Sequence, residues 1–241
     1  MLILGIDTSG KSGGIALARA DAGAFTLLEA APIAGGTFSS QLIPLVAELL
    51  TKHKLKQEDI GGFAVASGPG SFTGLRVGLA AVKGLAEVLG KPIAAVSVLE
   101  ALAILATAKT EQAPSLPDGK VAAALDAQRQ EVYLGEYEVV QGVARTLREE
   151  LLSRPGLIAH LRGDSKPAGP VVTPDDAVAR HLREAGIACI AVARPGATEI
   201  ARIGGAKLAR GETISVEQLD ANYLRNTDAQ IFAKPETSKK K

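Results

Sequence analysis

The chain has 241 residues, 46% hydrophobic and 22% charged, with a net charge of +1, enough for one large domain or two lobes of ordinary size. That balance gives no bulk attraction for a polyanion, and no apolar run is long enough to span a bilayer. Cys189 is the single cysteine, which excludes an internal disulfide and fits a reducing, cytoplasmic setting.

Leu2–Asp7 reads as a short apolar strand ending in an acid. No charged leader precedes it, so no secretory signal is expected. Asp7–Gly14 is a turn of small and polar residues, after which Ile15–Arg19 and Phe25–Ala30 return as strands of a hairpin meander. Leu42, Leu45, Val46, Leu49 and Leu50 recur at helical spacing and predict an amphipathic helix, with Ser39 or Ser40 as N-cap and Pro44 in its first turn. Phe63–Ser67 is a strand. The loop Ser67-Gly-Pro-Gly-Ser71 then opens a helix over Thr73–Leu89, followed by a strand at Ile93–Val98 and a helix at Leu99–Lys109.

Gln112–Gly119, with Pro114, Pro117 and Gly119, predicts a lobe boundary, separating residues 1–111 from a second lobe at 112–233. Val121–Leu125 and Glu131–Val140 open that lobe as strands; Val132 and Leu134 face one way, Tyr133 and Tyr137 the other. Ser153–Val192 mixes Pro/Gly loops and short strands with one helix, Pro174–Ala185, and Cys189 falls on a buried strand. Thr198–Arg210 is helical, and Lys234–Lys241 is a basic tail expected to be disordered. No repeat at solenoid periods is visible. With 3% aromatics and no Trp, the core must be built from Ala, Leu, Val and Ile with close backbone approach. A strand meander, helix, strand, helix and strand, then a second lobe opening on a strand pair, is the order of the α/β, two-lobed actin-like ATPase (ASKHA) fold. Asp7 would there occupy the place of a metal-holding acid.

Three features bear on function. The first is the Thr73–Leu89 helix, which has two apolar stripes: Leu75, Leu79, Val82, Ala86 and Leu89, and Val77, Ala81, Gly84 and Val88. One stripe suffices to cover a sheet, so the second requires another layer of this chain or another protein. The second is the turn Asp7–Gly10 (Asp7, Thr8, Ser9, Gly10), a vestigial phosphate loop. Backbone N–H groups reach an anion only where side chains are absent. The matching turn of the second lobe, Asp126-Ala-Gln-Arg-Gln-Glu131, has no glycine, and Gln128, Arg129 and Gln130 put long side chains where phosphate would lie. A nucleotide cleft of this kind is degenerate. The third is the four-residue spacing of Gly70, Gly74 and Gly78, which favours close packing of another backbone over anion binding. His53, His160 and His181 are scattered, without metal-ligand spacing, and no Gly-x-Ser-x-Gly elbow supports a peptidase.

The segment Gly68-Pro-Gly-Ser-Phe-Thr-Gly-Leu-Arg-Val-Gly78 closely resembles the signature of the TsaB (YeaZ) family. Gly5–Ser9, Asp126–Tyr133 and Tyr223-Leu-Arg225 agree in order, so the resemblance spans nearly the whole chain. It departs at Phe38, where the family usually carries His; in the related catalytic subunit TsaD, histidines near that place hold a metal. The resemblance implies a non-catalytic partner subunit that binds and activates TsaD for threonylcarbamoyl transfer to the adenosine next to the tRNA anticodon. A TsaE-like ATPase joins that pair, and the protein forms a homodimer when alone. It further implies no catalytic residues, metal or cofactor in this chain, ATP being used by the partner subunits, and tRNA met only through the complex. The expected partner surface comprises Leu42, Leu45, Val46 and Leu49 with Phe72, Gly74, Leu75, Arg76, Gly78, Leu79, Ala81, Val82 and Lys83. The competing readings are an ATP-dependent enzyme of the same fold and a peptidase.

Overall fold

The computed structural model describes residues 1–21, 24–108, 116–163, 169–222 and 224. The tail at 234–241 and the first half of the expected lobe boundary, residues 112–115, lie outside them, as do Tyr223 and Arg225. The first half of the chain runs β1 (Leu2–Asp7), β2 (Ser12–Asp21), β3 (Ala24–Ala34), α1 (Phe38–Lys52), β4 (Ile60–Gly68), α2 (Phe72–Leu89), β5 (Ile93–Ser97) and α3 (Val98–Thr107). The second repeats that order: β6 (Gly119–Asp126), β7 (Glu131–Val140), β8 (Val143–Ser153), α4 (Arg154–Arg162), β9 (Val171–Thr173), α5 (Asp176–Glu184), β10 (Cys189–Ala191) and α6 (Ala197–Ala209). The sheets are ordered β3-β2-β1-β4-β5 and β8-β7-β6-β9-β10, so one topology occurs twice.

Five layers stack. α1 and α2 cover the outer face of the first sheet through Leu42, Val46, Leu49, Leu75, Leu79 and Val82. α4 and α5 cover the outer face of the second, around Leu157, Val178 and Leu182. Between the sheets lie α3 and α6, and each contacts the sheet of the other half: α3 meets β6 and β7, α6 meets β1, β2 and β4. The helix expected with the second lobe thus packs on the first. Small residues make that possible. A Cβ at Gly5 would come 2.5 Å from the Ala201 Cβ, and one at Gly204 would collide with Ala64. Close approach between alanine and glycine surfaces is how a core with so few aromatics reaches interior density. Inside this layer Lys207 Nζ lies 2.7 Å from Glu100 Oε2 and also donates to the Ala95 carbonyl.

Several sequence expectations are corrected. α1 starts before Ser39, because Phe38 is itself buried in the core, and Thr37 supplies the first accepting carbonyl. Pro44 consequently sits inside the helix. Val143–Ser153, unassigned from sequence, is a full edge strand paired to β7. Ser153–Val192 holds a second helix beside the one expected, Arg154–Arg162, whose cap Ser153 accepts the Gly156 N–H at 3.1 Å. Cys189 is half-buried on the short edge strand β10. The opposed faces of Val132/Leu134 and Tyr133/Tyr137 hold: the first pair packs toward α4 and α5, the second toward α3.

Candidate functional site: the inter-lobe cleft and the outer face of α2

The β1–β2 and β6–β7 turns face each other across a cleft of about 990 Å³, lined by Ser9, Gly10, Lys11, Gln128, Arg129 and Arg194 among others. On the first side Asp7 is buried, and its Oδ1 accepts the Ser9 N–H at 2.8 Å. Burial pushes its carboxyl above the ordinary carboxylate value, against hydrogen bonds from Ser9 and the more distant Arg194. Thr8 and Ser9 are spent on packing. Cβ atoms at Gly70 and Gly74 would strike the Ser9 and Thr8 carbonyls, and one at Gly78 the Thr8 hydroxyl. The backbone expected beside the Gly70/Gly74/Gly78 line is therefore this first turn. Phe38 joins it, wedged between Gly13 and Gly74, so the family's histidine position holds a core residue here.

On the second side Gln128, Arg129 and Gln130 all adopt left-handed φ values of 62°, 50° and 63°. L-residues pay about 1–2 kcal/mol each for that conformation. Gln128 turns back to Asp126 Oδ2 at 3.0 Å, and Asp126 Oδ1 lies 3.5 Å from Arg154. Gln128 and Arg129 line the cleft as expected; Gln130 does not, and its carbonyl accepts the Arg154 N–H at 2.8 Å. Among the described residues no group of three His, Cys, Asp or Glu side chains could hold a metal. The histidines are engaged away from the cleft: His53 with Glu29 and His160 with Glu136, each at 2.8 Å, and His181 with the Arg154 carbonyl at 3.1 Å.

α2 is capped by the Ser71 hydroxyl, which accepts the Gly74 N–H, and ends at left-handed Gly90. Its Leu75/Leu79/Val82 stripe faces the first sheet. Of the Val77/Ala81/Gly84/Val88 stripe, Val77 and Ala81 are half-buried against the core, while Gly84 and Val88 are exposed, Val88 to 83%. The expected partner surface is corrected accordingly. Leu42, Val46, Leu49, Gly74, Leu75, Gly78, Leu79 and Val82 are buried against the chain's own sheet and first turn. Leu45, Phe72, Arg76, Ala81 and Lys83 remain at the surface, where Arg76 stacks 3.6 Å over the Phe72 ring. Beside them Ile43, Ala80, Gly84 and Val88 are exposed and Val77 is half-buried; none of these five was on the expected surface. The second stripe pointed to three of them; Ile43 and Ala80 gave no signal beyond helical position.

A duplicated strand-meander and helix unit, with two turns opposed across a cleft, defines the actin-like ATPase fold. The comparisons narrow this. A family model described as TsaD, tRNA N6-adenosine threonylcarbamoyltransferase, matches residues 32–182. The Escherichia coli protein named tRNA threonylcarbamoyladenosine biosynthesis protein TsaB is 30% identical over 236 residues, 95% of this chain and 96% of that one. The Bacillus subtilis protein of the same name is 38% identical over 143 residues, 59% of this chain and 58% of that one. A Pseudomonas aeruginosa crystal structure, described by its similarity to peptidase YeaZ, superposes with a TM-score of 0.74 at 29% identity, covering 93% of this chain and 99% of that one. The chain belongs to the TsaB (YeaZ) family.

Proposed function

We propose that this chain serves tRNA threonylcarbamoyladenosine biosynthesis as a non-catalytic partner of TsaD, docking through the outer face of α2 and the adjoining edge of α1. The names of its relatives support the pathway. One observation carries the docking role. Gly84 lies in the middle of α2, exposed, with nothing within 4 Å of where a Cβ would be. A mid-helix glycine costs about 1 kcal/mol relative to alanine, and no contact among the described residues repays it. A second backbone approaching that face would. Val88 one turn on, Phe72 at the start of α2 and Ile43 on α1 add exposed apolar surface of the kind that marks a protein contact.

On this reading a TsaE-like ATPase joins the pair, two copies meet on the same face when TsaD is absent, and tRNA is met through the assembly. In the test, Gly84→Glu and Val88→Glu lose both self-association in sedimentation and TsaD binding in pull-down, while thermal unfolding of the isolated protein stays within a few degrees. Unchanged association of both variants would sink the proposal. The ATP-dependent alternative predicts turnover by the isolated chain. The proposed function predicts none above background with ATP and Mg²⁺, and turnover of about 1 s⁻¹, modest for an enzyme, lost in Asp7→Ala would reverse it. A peptidase reading finds no support, since no described histidine lines the cleft with Ser9 or Ser71.

A further inference from the structure

Residues 214–222 run as a strap from β5 to the loop that opens α2, along the flank of that helix. The Ile214 N–H donates to the Ile93 carbonyl at 2.9 Å. Leu219 is fully buried and Ala221 nearly so, in the same apolar cluster as Leu75, Leu79 and Val82 of α2. Leu219 and Asp220 border a shallow depression with Arg76, Leu79, Ala80 and Lys83. The strap thus completes one side of the face assigned to docking. Its end is pinned twice at one residue: the Asn222 N–H donates to the Ser67 carbonyl at 2.7 Å, and the Asn222 side-chain amide donates to Glu149 on β8.

Glu149 belongs to the other half of the molecule. It is half-buried, and no described cation lies within 4.0 Å of it. Neutral donors hold it instead. Ser97, at the cap of α3, donates to one carboxylate oxygen at 2.6 Å, and so does the Tyr137 phenol; Asn222 donates to the other. Burial, and then the Glu149 charge, push the Tyr137 phenol well above its ordinary value, so it remains a donor. A hydrogen bond to an ionised acceptor is about twice as strong as a neutral one. Ser97 and Tyr137 fix the carboxylate, and the Asn222 bond joins it to the strap.

We propose that the Glu149–Asn222 hydrogen bond is a latch that controls docking. Closed, it keeps the strap on the flank of α2 and the docking face complete. Open, it frees the strap end, uncovers the apolar flank beneath Leu219 and lowers apparent affinity by the fraction of molecules left competent. The second half of the chain, which supplies no residue to the docking face, thereby sets its readiness. The latch rests on the docking role proposed for α2.

The test compares the full chain with Asn222→Asp, which sets a second carboxylate against Glu149, and with the double variant Asn222→Asp/Glu149→Gln. In the double variant the amide introduced at 149 donates to the carboxylate introduced at 222, while its carbonyl still accepts from Ser97 and Tyr137. The latch is rebuilt with donor and acceptor exchanged. Hydrogen exchange at the backbone amides of residues 219 and 222 reads the strap, and titration with TsaD reads docking. Asn222→Asp exchanges about tenfold faster and binds TsaD about tenfold more weakly, the scale of one charge-assisted hydrogen bond, with a melting temperature within a few degrees of wild type. The double variant recovers both. Unchanged exchange in Asn222→Asp, faster exchange with full TsaD affinity, or a double variant no better than the single one would overturn the proposal. A wild-type chain that fails to bind TsaD defeats the docking role and the control with it; wild-type binding matched by Asn222→Asp defeats the control alone.

Discussion

At the scale of single residues, two buried carboxyl groups stand out for opposite reasons. Asp7 has its carboxyl raised by burial and keeps only the Ser9 N–H and a distant guanidinium as compensation. A raised folded-state value means that the stabilising contribution is full below the unfolded value and is lost as pH rises through the folded one. At neutral pH Asp7 therefore costs stability. Asp7→Asn, which retains an acceptor for the Ser9 N–H, is expected to melt higher than wild type at pH 7. The gap closes as the pH falls toward 4, and calorimetry across that range checks it. Glu100 is also raised by burial, but Lys207 pulls it back. Removing one member of a buried pair strands the other charge, so Lys207→Met should cost about 3 kcal/mol in urea unfolding. Adding Glu100→Gln should recover much of it. A double variant as unstable as the single one would show that Lys207 acts through packing alone.

At the scale of elements, α2 shows how two glycines of one helix can have opposite duties. Gly78 admits the Thr8 side chain, and a Cβ there would collide with its hydroxyl. Gly84 meets nothing. Gly78→Leu should therefore unfold the protein or lower its melting temperature sharply, whereas Gly84→Ala should stabilise the isolated chain by about 1 kcal/mol. Equal effects would mean that the two sites share one environment. Gly78 had been read from sequence as a partner residue, because a four-residue glycine spacing does not say whose backbone comes close.

Much of the first half is legible in the sequence, because its helices carry clean 3.6-residue periodicity and its strands are bounded by glycine. β8 is not. In Arg145–Leu152, Leu147, Leu151 and Leu152 flank the charged run Arg148-Glu149-Glu150 at a spacing that suits a helix, and only its place at a sheet edge, where charge is tolerated, makes it a strand. α4 is hidden by Pro155 and Gly156, both acceptable in a first turn. At the cleft the sequence showed the absence of glycine in the second turn. It did not show that Gln128–Gln130 would adopt glycine-like backbone angles, since such strain is imposed by the flanking strands.

At the scale of the whole molecule, the two halves share strand order without visible sequence repetition, and one carboxylate ties them together. Glu149 on β8 accepts from Ser97 at the cap of α3 at 2.6 Å, from Tyr137 and from the Asn222 amide. The Asn222 backbone N–H donates in turn to the Ser67 carbonyl at 2.7 Å, beside the loop that opens α2. The loop that opens α2 and the C-terminal segment are thus joined by hydrogen bonds. The exchanged positions of α3 and α6 bear on how the protein is made. The inner face of the first sheet over β1 and β2 stays uncovered until residues 197–209 have left the ribosome, α3 reaching only β4 and β5. The half synthesised first therefore cannot mature first. Completing that layer is a late, long-range step, slow by its topology, and apolar surface of the nascent chain is open to chaperones and proteases until α6 emerges.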